Sequence, residues 1–382
     1  MIAPMQSGPN PMESRALANP TPLRRRVLAV AALAAGLAAL SGLAVWLDVD
    51  RRVAQRFYDP GQGWPIGEGA LWIWLYRYGT VPGLLLTLAA LVGFALSFRL
   101  RRLRAWRREC LLVFLTAVIG GGLLVNAVFK PYWGRPRPRQ VALYGGQYDY
   151  REFYRPGIPG QGQSFPCGHC TMGFVFVSAL ALRRRAPAAA LAGTGFGVAY
   201  GGLLGLCRIA QGAHFVTDVL WSFGILSLLA AVLHGFLLPA EERLEVDIDR
   251  RRQRLLAAGA VLAAVLVLFA FLTRRPFFET HTETVAVDAA VTRIELIVEG
   301  ALESRRVRFE PGALLQLSLQ AKGFGWVRSR IIFETEKRRR GEALMIRIRA
   351  KKDGYFSELS QELQVSAPVR IRDGLSIQLQ NP

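Results

Sequence analysis

The chain has 382 residues, 52% of them hydrophobic, and a formal net charge of +20. A soluble globular domain rarely combines the two, whereas a membrane protein with basic loops does. The arginines sit beside long apolar runs, which suits anionic lipid head groups and argues against nucleic acid as the partner, and four cysteines are too few for a disulfide framework in a chain this long.

Residues 1–22, rich in Pro, Ser, Asn and Met, are expected to be disordered. Arg24-Arg25-Arg26 then precedes an apolar run from Val27 to Leu47. A signal peptide has an apolar core of about 7–15 residues, while about 20 span a bilayer, so the run reads as an uncleaved first membrane helix. The segment from Trp64 to Tyr78 is aromatic and reads as interfacial. Further runs at Gly79–Phe98, Cys110–Phe129, Cys170–Leu182, Ala188–Leu206, Val219–Leu238 and Leu255–Leu272 bring the expected spans to seven, the one after Cys170 being short.

With seven spans, the basic clusters Arg24–Arg26, Arg99–Arg108, Arg183–Arg185 and Arg250–Arg254 share one side, the cytoplasm by the positive-inside rule. The loops 48–78, 130–169 and 207–218 then face outward. The loop 130–169 carries several arginines against that rule, and a bound anion accounts for them. From residue 277 the chain turns polar, with period-2 runs such as Leu314-Leu-Gln-Leu-Ser-Leu-Gln320 between Gly, Pro and Asp breaks. This predicts a small antiparallel β domain, a sandwich, outside the membrane. The expected division is therefore 1–22 disordered, 23–240 an all-α helical membrane core, 241–276 a loop and seventh membrane helix, and 277–382 the β domain.

Three outward segments hold polar residues that an apolar protein should avoid. In the first, Lys130 offers a point charge and Arg137 a planar fork, held apart by Pro-rich chain so that both converge on one anion. A basic flank at the membrane interface reads the same way. In the second, Phe165-Pro-Cys-Gly-His169, Pro166 and Gly168 permit a turn that opens a helix. Its backbone N–H groups would bind an anion, and His169 would protonate a leaving oxygen; a plain loop-to-helix junction is the other reading. In the third, His214 and Asp218 are four apart and share a helix face. A carboxylate on one ring nitrogen fixes the tautomer and makes the other nitrogen a better nucleophile. Arg208 adds a phosphate fork, although an Arg–Asp ion pair with a capping histidine also fits. Cys167-Gly-His-Cys170 has the form of a redox CxxC but lacks a βαβ context. A disulfide between them, formed outside the cytoplasm, would switch such a site off. Zinc on Cys167, His169, Cys170 and Cys207 would consume the acid, so no metal is expected.

Together the segments resemble the type 2 phosphatidic acid phosphatase superfamily, integral-membrane lipid phosphate phosphatases related to vanadium haloperoxidases. Its signature is Lys-x6-Arg-Pro, then Pro-Ser-Gly-His, then Ser-Arg-x5-His-x3-Asp. Lys130-x6-Arg137-Pro138 matches intact, while Pro166-Cys167-Gly168-His169 and Cys207-Arg208-x5-His214-x3-Asp218 each have Cys for Ser. The resemblance covers roughly residues 25–240 and implies a six-helix phosphatase core, to which the seventh span is added. It implies that His214 attacks phosphorus, that Asp218 orients it, and that His169 serves the leaving group and then water. Lys130, Arg137, Arg208, Cys167 and the Gly168 backbone would hold the phosphoryl oxygens, without cofactor. A thiol at Cys167 is a larger, weaker donor than a hydroxyl, which implies reduced activity or an altered substrate.

The loop Trp133–Gly146 looks like that of bacterial members acting on lipid A, and its Arg135 and Arg139 would hold a second phosphate or flank the membrane. The reading is a phosphatase of the bacterial inner membrane with a periplasm-facing site. It would act on lipid A, undecaprenyl pyrophosphate or an anionic phospholipid such as phosphatidic acid. Lipid-to-lipid phosphotransfer, or a weakly catalytic scaffold binding envelope polymers through its β domain, are the alternatives. His234 is expected to be structural, and His281 solvated in a linker.

Overall fold

The computed structural model describes residues 22–159, 161–237, 274–299, 302–354 and 356–380, together with Leu255, Ala258, Gly259 and Leu262. The N-terminal stretch expected to be disordered and nearly all of the expected seventh span lie outside the described residues.

Among the described residues five helices are long and apolar enough to cross a membrane: Leu23–Trp46, Ala70–Leu96, Arg107–Gln140, Pro187–Ala210 and Val216–Phe236. They expose large apolar side chains, among them Leu28, Leu40, Leu85, Leu123 and Leu191, a surface suited to hydrocarbon rather than water. Trp64–Tyr78 is not a separate interfacial piece. Its Ala70–Tyr78 part is helical and leads into the helix Val81–Leu96, so the aromatic stretch forms the N-terminal end of the second span. The run after Cys170 is helical from Gly168 to Phe174 and then tightens to 3-10 winding from Val175 to Arg184. It packs closely on the Pro187–Ala210 helix, since a Cβ on Gly173 would stand 2.4 Å from the Gly201 Cα.

The two ends of the bundle differ in kind. At one end Arg108 donates to the His234 carbonyl at 2.8 Å and lies 3.0 Å from its Nδ1, and Arg185 donates to the Ala105 carbonyl. His234 thus has the structural role expected of it. The opposite ends of the same helices carry Lys130, Arg208 and the His214 loop.

The C-terminal region forms two four-stranded sheets: β1 (Arg274–Ala286), β4 (Leu314–Trp326), β7 (Phe356–Pro368) and β3 (Ser304–Glu310) in that order, and β5 (Arg330–Arg340), β6 (Ala343–Asp353), β2 (Arg293–Glu299) and β8 (Leu375–Gln380). Leu315, Leu317, Leu319, Leu363 and Val365 of the first sheet form one core with Ile294, Leu296, Val298, Ile346 and Ile348 of the second, as a sandwich requires. The sheets are mixed, not antiparallel. β2 runs parallel to both β6 and β8, and β3 parallel to β7. Alternation in sequence reports which side of a strand is buried and carries no information on pairing direction. His281 lies in β1, stacked on Phe333 with ring centroids 5.5 Å apart and Glu279 at 3.3 Å, so it is a strand residue rather than part of a solvated linker.

The first sheet rests on the end of the bundle that carries Lys130 and Arg208. Arg306 and Arg308 donate to the carbonyls of Gln62 and Gly61, Lys322 pairs with Glu68 at 3.6 Å, and Phe324 packs with Leu75, Tyr76, Leu204 and Cys207.

Candidate functional site

Three chain segments meet at this end, tied by backbone hydrogen bonds. The Arg139 N–H donates to the Gly212 carbonyl at 3.0 Å, the Ser164 N–H to Arg135 at 3.0 Å, and the Cys167 N–H to Asp218 at 3.2 Å. Lys130 opens a short helix, Lys130–Trp133. The prolines at 136 and 138 hold the chain extended beyond it, and the Gln140 side chain accepts from the Arg137 N–H at 2.8 Å. Gly168 begins the next helix, where a Cβ would stand 2.4 Å from the Asn126 side-chain oxygen, so any larger residue would have to displace that side chain. Lys130, Arg137, His169, Arg208, His214 and Asp218 are all buried.

His214 is the best defined of them. Its Nδ1 lies 2.5 Å from the Ser164 carbonyl oxygen. A carbonyl only accepts, so Nδ1 carries the proton and Nε2 presents its lone pair. Nε2 is buried and has no hydrogen-bond partner among the described residues. The Asp218 carboxylate stands 3.6 Å from Nδ1, beyond hydrogen-bond reach, and acts on the ring through its charge. Burial pushes the imidazole down to about 4; the nearby Asp218 opposes this, while Arg208 and Lys130 add to it. The ring is therefore neutral at neutral pH. The effect of Arg208 and Lys130 also locates both cations near it.

Asp218 is saturated. One oxygen accepts from Arg135 Nη1 at 2.5 Å, the other from the Ser164 hydroxyl at 2.5 Å and the Phe215 N–H at 2.8 Å. Arg135 in turn bonds Asp50 at 2.7 Å through Nη2, and Asp50 takes the Thr217 N–H at 2.9 Å and its hydroxyl at 2.5 Å. Arg135 is therefore not a ligand for a second phosphate. It is fully buried between two carboxylates, which consume its fork. Asp50, Ser164 and Thr217 belong to this hydrogen-bonded network, and sequence reasoning missed them. A carboxylate just after the first span was the available signal for Asp50, and nothing in its neighbourhood pointed to a partner.

The His169 ring is stacked on Tyr76 at 5.1 Å and tilted against Phe324 of the β domain at 5.5 Å. Arg208 lies over the other partner of this stack, Tyr76, at 4.5 Å, and donates to Gln211 at 2.8 Å. Cys167 is joined to Cys170 by a disulfide. In this form its sulfur has no proton to donate, so a thiol contact to phosphate belongs to the reduced chain only. Cys207, where the signature has Ser, is a buried free thiol 3.2 Å from the Trp72 carbonyl. Among the described residues no group of three His, Cys, Asp or Glu side chains is placed to hold a metal ion.

A family profile, that of the PAP2 superfamily, matches residues 110–239, which contain every signature residue just described. A lipid A 4′-phosphatase of Francisella tularensis subsp. novicida (strain U112) is 31% identical over 191 residues, 46% of this chain and 81% of that protein. The chain belongs to the PAP2 superfamily. A second PAP2 relative, a lipid A 4′-phosphatase of Rhizobium leguminosarum, is 35% identical over 111 residues, 27% of this chain and 44% of that protein. No solved structure matches the chain significantly. The matched PAP2 segment ends before the first strand, so Glu303 and Phe324, which reach the site from the β domain, lie outside it.

Proposed function

We propose that the protein is a phosphatase of the bacterial inner membrane that removes phosphate from envelope lipids through a phosphohistidine on His214, with lipid A as the substrate class. The observation that carries the mechanism is the fixed tautomer of His214: Nδ1–H is spent on the Ser164 carbonyl, and Nε2 is bare beside Lys130 and Arg208. The substrate class is supported by the two relatives, both named lipid A 4′-phosphatase.

Nε2 attacks phosphorus as the bond to the lipid oxygen breaks, and His169 gives that oxygen its proton. The same residue then takes a proton from the water that cleaves the P–N bond, releasing inorganic phosphate. Lys130, Arg137, Arg208 and the Gly168 N–H stabilise the charge that builds on the equatorial oxygens, a task that in this reading needs no metal. The helix Gly168–Arg184 counts as the sixth of the phosphatase core. The end bearing Arg108 and Arg185 faces the cytoplasm, which turns the site and the β domain to the periplasm.

The test is phosphate release by the purified protein in detergent, with EDTA present, from lipid A, undecaprenyl pyrophosphate and phosphatidic acid. Release that survives EDTA supports the metal-free mechanism, and the preferred lipid names the substrate. Movement of label from donor to acceptor lipid without release means a transferase.

The same reading fixes a pH dependence. Attack needs neutral His214, so kcat/KM should hold as pH falls past 6.5 and decline about tenfold per unit only below about 4. Stability behaves differently. The folded imidazole binds its proton less readily than the unfolded one, so the unfolded chain holds more protons between about 6.5 and 4, and stability falls as pH drops through that window. A His214 imidazole that titrates near 6.5 in the folded protein, followed by its ring NMR signals, would contradict the buried neutral nucleophile.

A further inference from the structure

The β domain places a carboxylate on the phosphate side of the site. Glu303, immediately before β3, has one oxygen 2.5 Å from Arg139 Nε and the other 3.7 Å from Arg137 Nη1. The two guanidinium groups, two residues apart on the Pro-braced chain, thus converge on a single anionic group. Arg137 is the signature arginine, and Arg139 is outside the signature. Arg139 is fixed to the nucleophile's loop through its N–H bond to Gly212. Glu303 is itself held from behind: the Ser360 hydroxyl donates to it at 2.6 Å, and its own N–H donates to the Gln361 carbonyl at 2.8 Å. Close by, a cleft between the two parts of the molecule is lined by Arg139, Arg208, Arg306 and Lys322. Glu68 and Glu362 also line it and pair with Lys322 and Arg306, so these cations are partly offset.

We propose that Arg137 and Arg139 form one anion seat, that Arg139 is a phosphate ligand additional to the signature, and that Glu303 is the seat's resident ligand, which phosphate must displace. The identity of the incoming anion rests on the phosphatase reading above. A carboxylate brings one negative charge and two oxygens. A phosphate monoester brings up to two charges and three oxygens, so it outcompetes the carboxylate on a pair of forks. While Glu303 is seated only the displaced fraction of molecules binds, and the apparent dissociation constant is the intrinsic one divided by that fraction. The β domain thereby sets the affinity of a site whose catalytic residues all lie in the membrane core.

The experiment measures equilibrium binding of inorganic phosphate to the full-length protein in detergent, which needs no turnover. Glu303→Gln keeps the shape and removes the charge, and is expected to tighten binding about tenfold. Ser360→Ala loosens the carboxylate without touching either arginine and should shift binding the same way by less. Adding Arg139→Gln to Glu303→Gln should remove the gain, because the ligand is then lost along with its competitor. Unchanged or weaker binding in both Glu303→Gln and Ser360→Ala would overturn the proposal and make Glu303 a prop for the arginines. So would an absence of phosphate binding in every variant. The two readings fail separately. Tighter phosphate binding with no lipid turned over leaves the seat and removes the phosphatase, whereas His214-dependent turnover without tighter binding does the reverse.

Discussion

Replacement of His214 by alanine is expected to lower phosphate release by about four to six orders of magnitude, the loss usual when the nucleophile of a cooperating set is removed. The expectation is this large because the other nucleophiles described around His214 are engaged: the Ser164 hydroxyl donates to Asp218 and the Thr217 hydroxyl to Asp50. The neighbouring buried groups, Lys130, Arg137 and Arg208, are cations that stabilise charge but do not attack, and Cys167 is bound to Cys170. His169 stands in a stack between Tyr76 and Phe324, placed to serve as the acid. Single-turnover reaction with phosphate-labelled lipid, quenched and resolved on the denatured chain, provides the sharper test. Wild-type protein should carry label that acid releases and alkali does not. The His214→Ala protein should carry none, while His169→Ala should still be able to accept it, more slowly. Label that persists at full level in His214→Ala would move the nucleophile elsewhere and sink the mechanism.

The parts of the site that were legible in sequence are those encoded at short range. Four positions separate His214 from Asp218, few enough to bring them together, although His214 stands in the loop before the helix Val216–Val232 and not on its face as expected; six residues between Lys130 and Arg137 fit a braced loop. The bundle was legible for a similar reason, since about 20 apolar residues have one use. What could not be read depends on separations with no local period. Asp50 meets Arg135 85 residues later and Thr217 167 residues later, and Arg139 meets Glu303 across 164. Arg135 shows the cost of that blindness. Beside Arg137 and Arg139 it looked like one more anion ligand, and only the arrival of Asp50 from the short helix Val49–Phe57 turns it inward. The mixed sheets are the same lesson in another form. Alternating residues along β2 mark its buried face, while the choice of β6 and β8 as parallel partners is made by the connections.

Asp50→Asn is expected to be the most destabilising single change outside the nucleophile itself. Arg135 is fully buried and sits between Asp50 and Asp218. Removing one carboxylate leaves a buried guanidinium with half its compensation, a situation that costs about 3–5 kcal/mol. The consequence for chemistry follows from the same contacts. Arg135 and Ser164 are what hold the two oxygens of Asp218, and the Thr217 N–H and hydroxyl that close the loop both end on Asp50. With Asp50 neutral, the Arg135 charge is left to Asp218 alone, and the carboxylate's field on His214 weakens. kcat should fall about 10–100-fold with KM little changed, as when a residue that orients a catalytic group is lost. A merely structural residue would lower the melting temperature and leave the surviving folded fraction with wild-type kcat. The double variant Asp50→Asn with Arg135→Met separates the two effects. Removing the stranded charge should recover much of the stability, because an apolar chain of similar volume needs no partner, whereas Asp218 loses its guanidinium altogether and kcat should stay low. Recovery of kcat together with stability would show that Asp218 needs no such support, and that the Asp50–Arg135 pair serves only to fasten the short helix Val49–Phe57 to the catalytic loop.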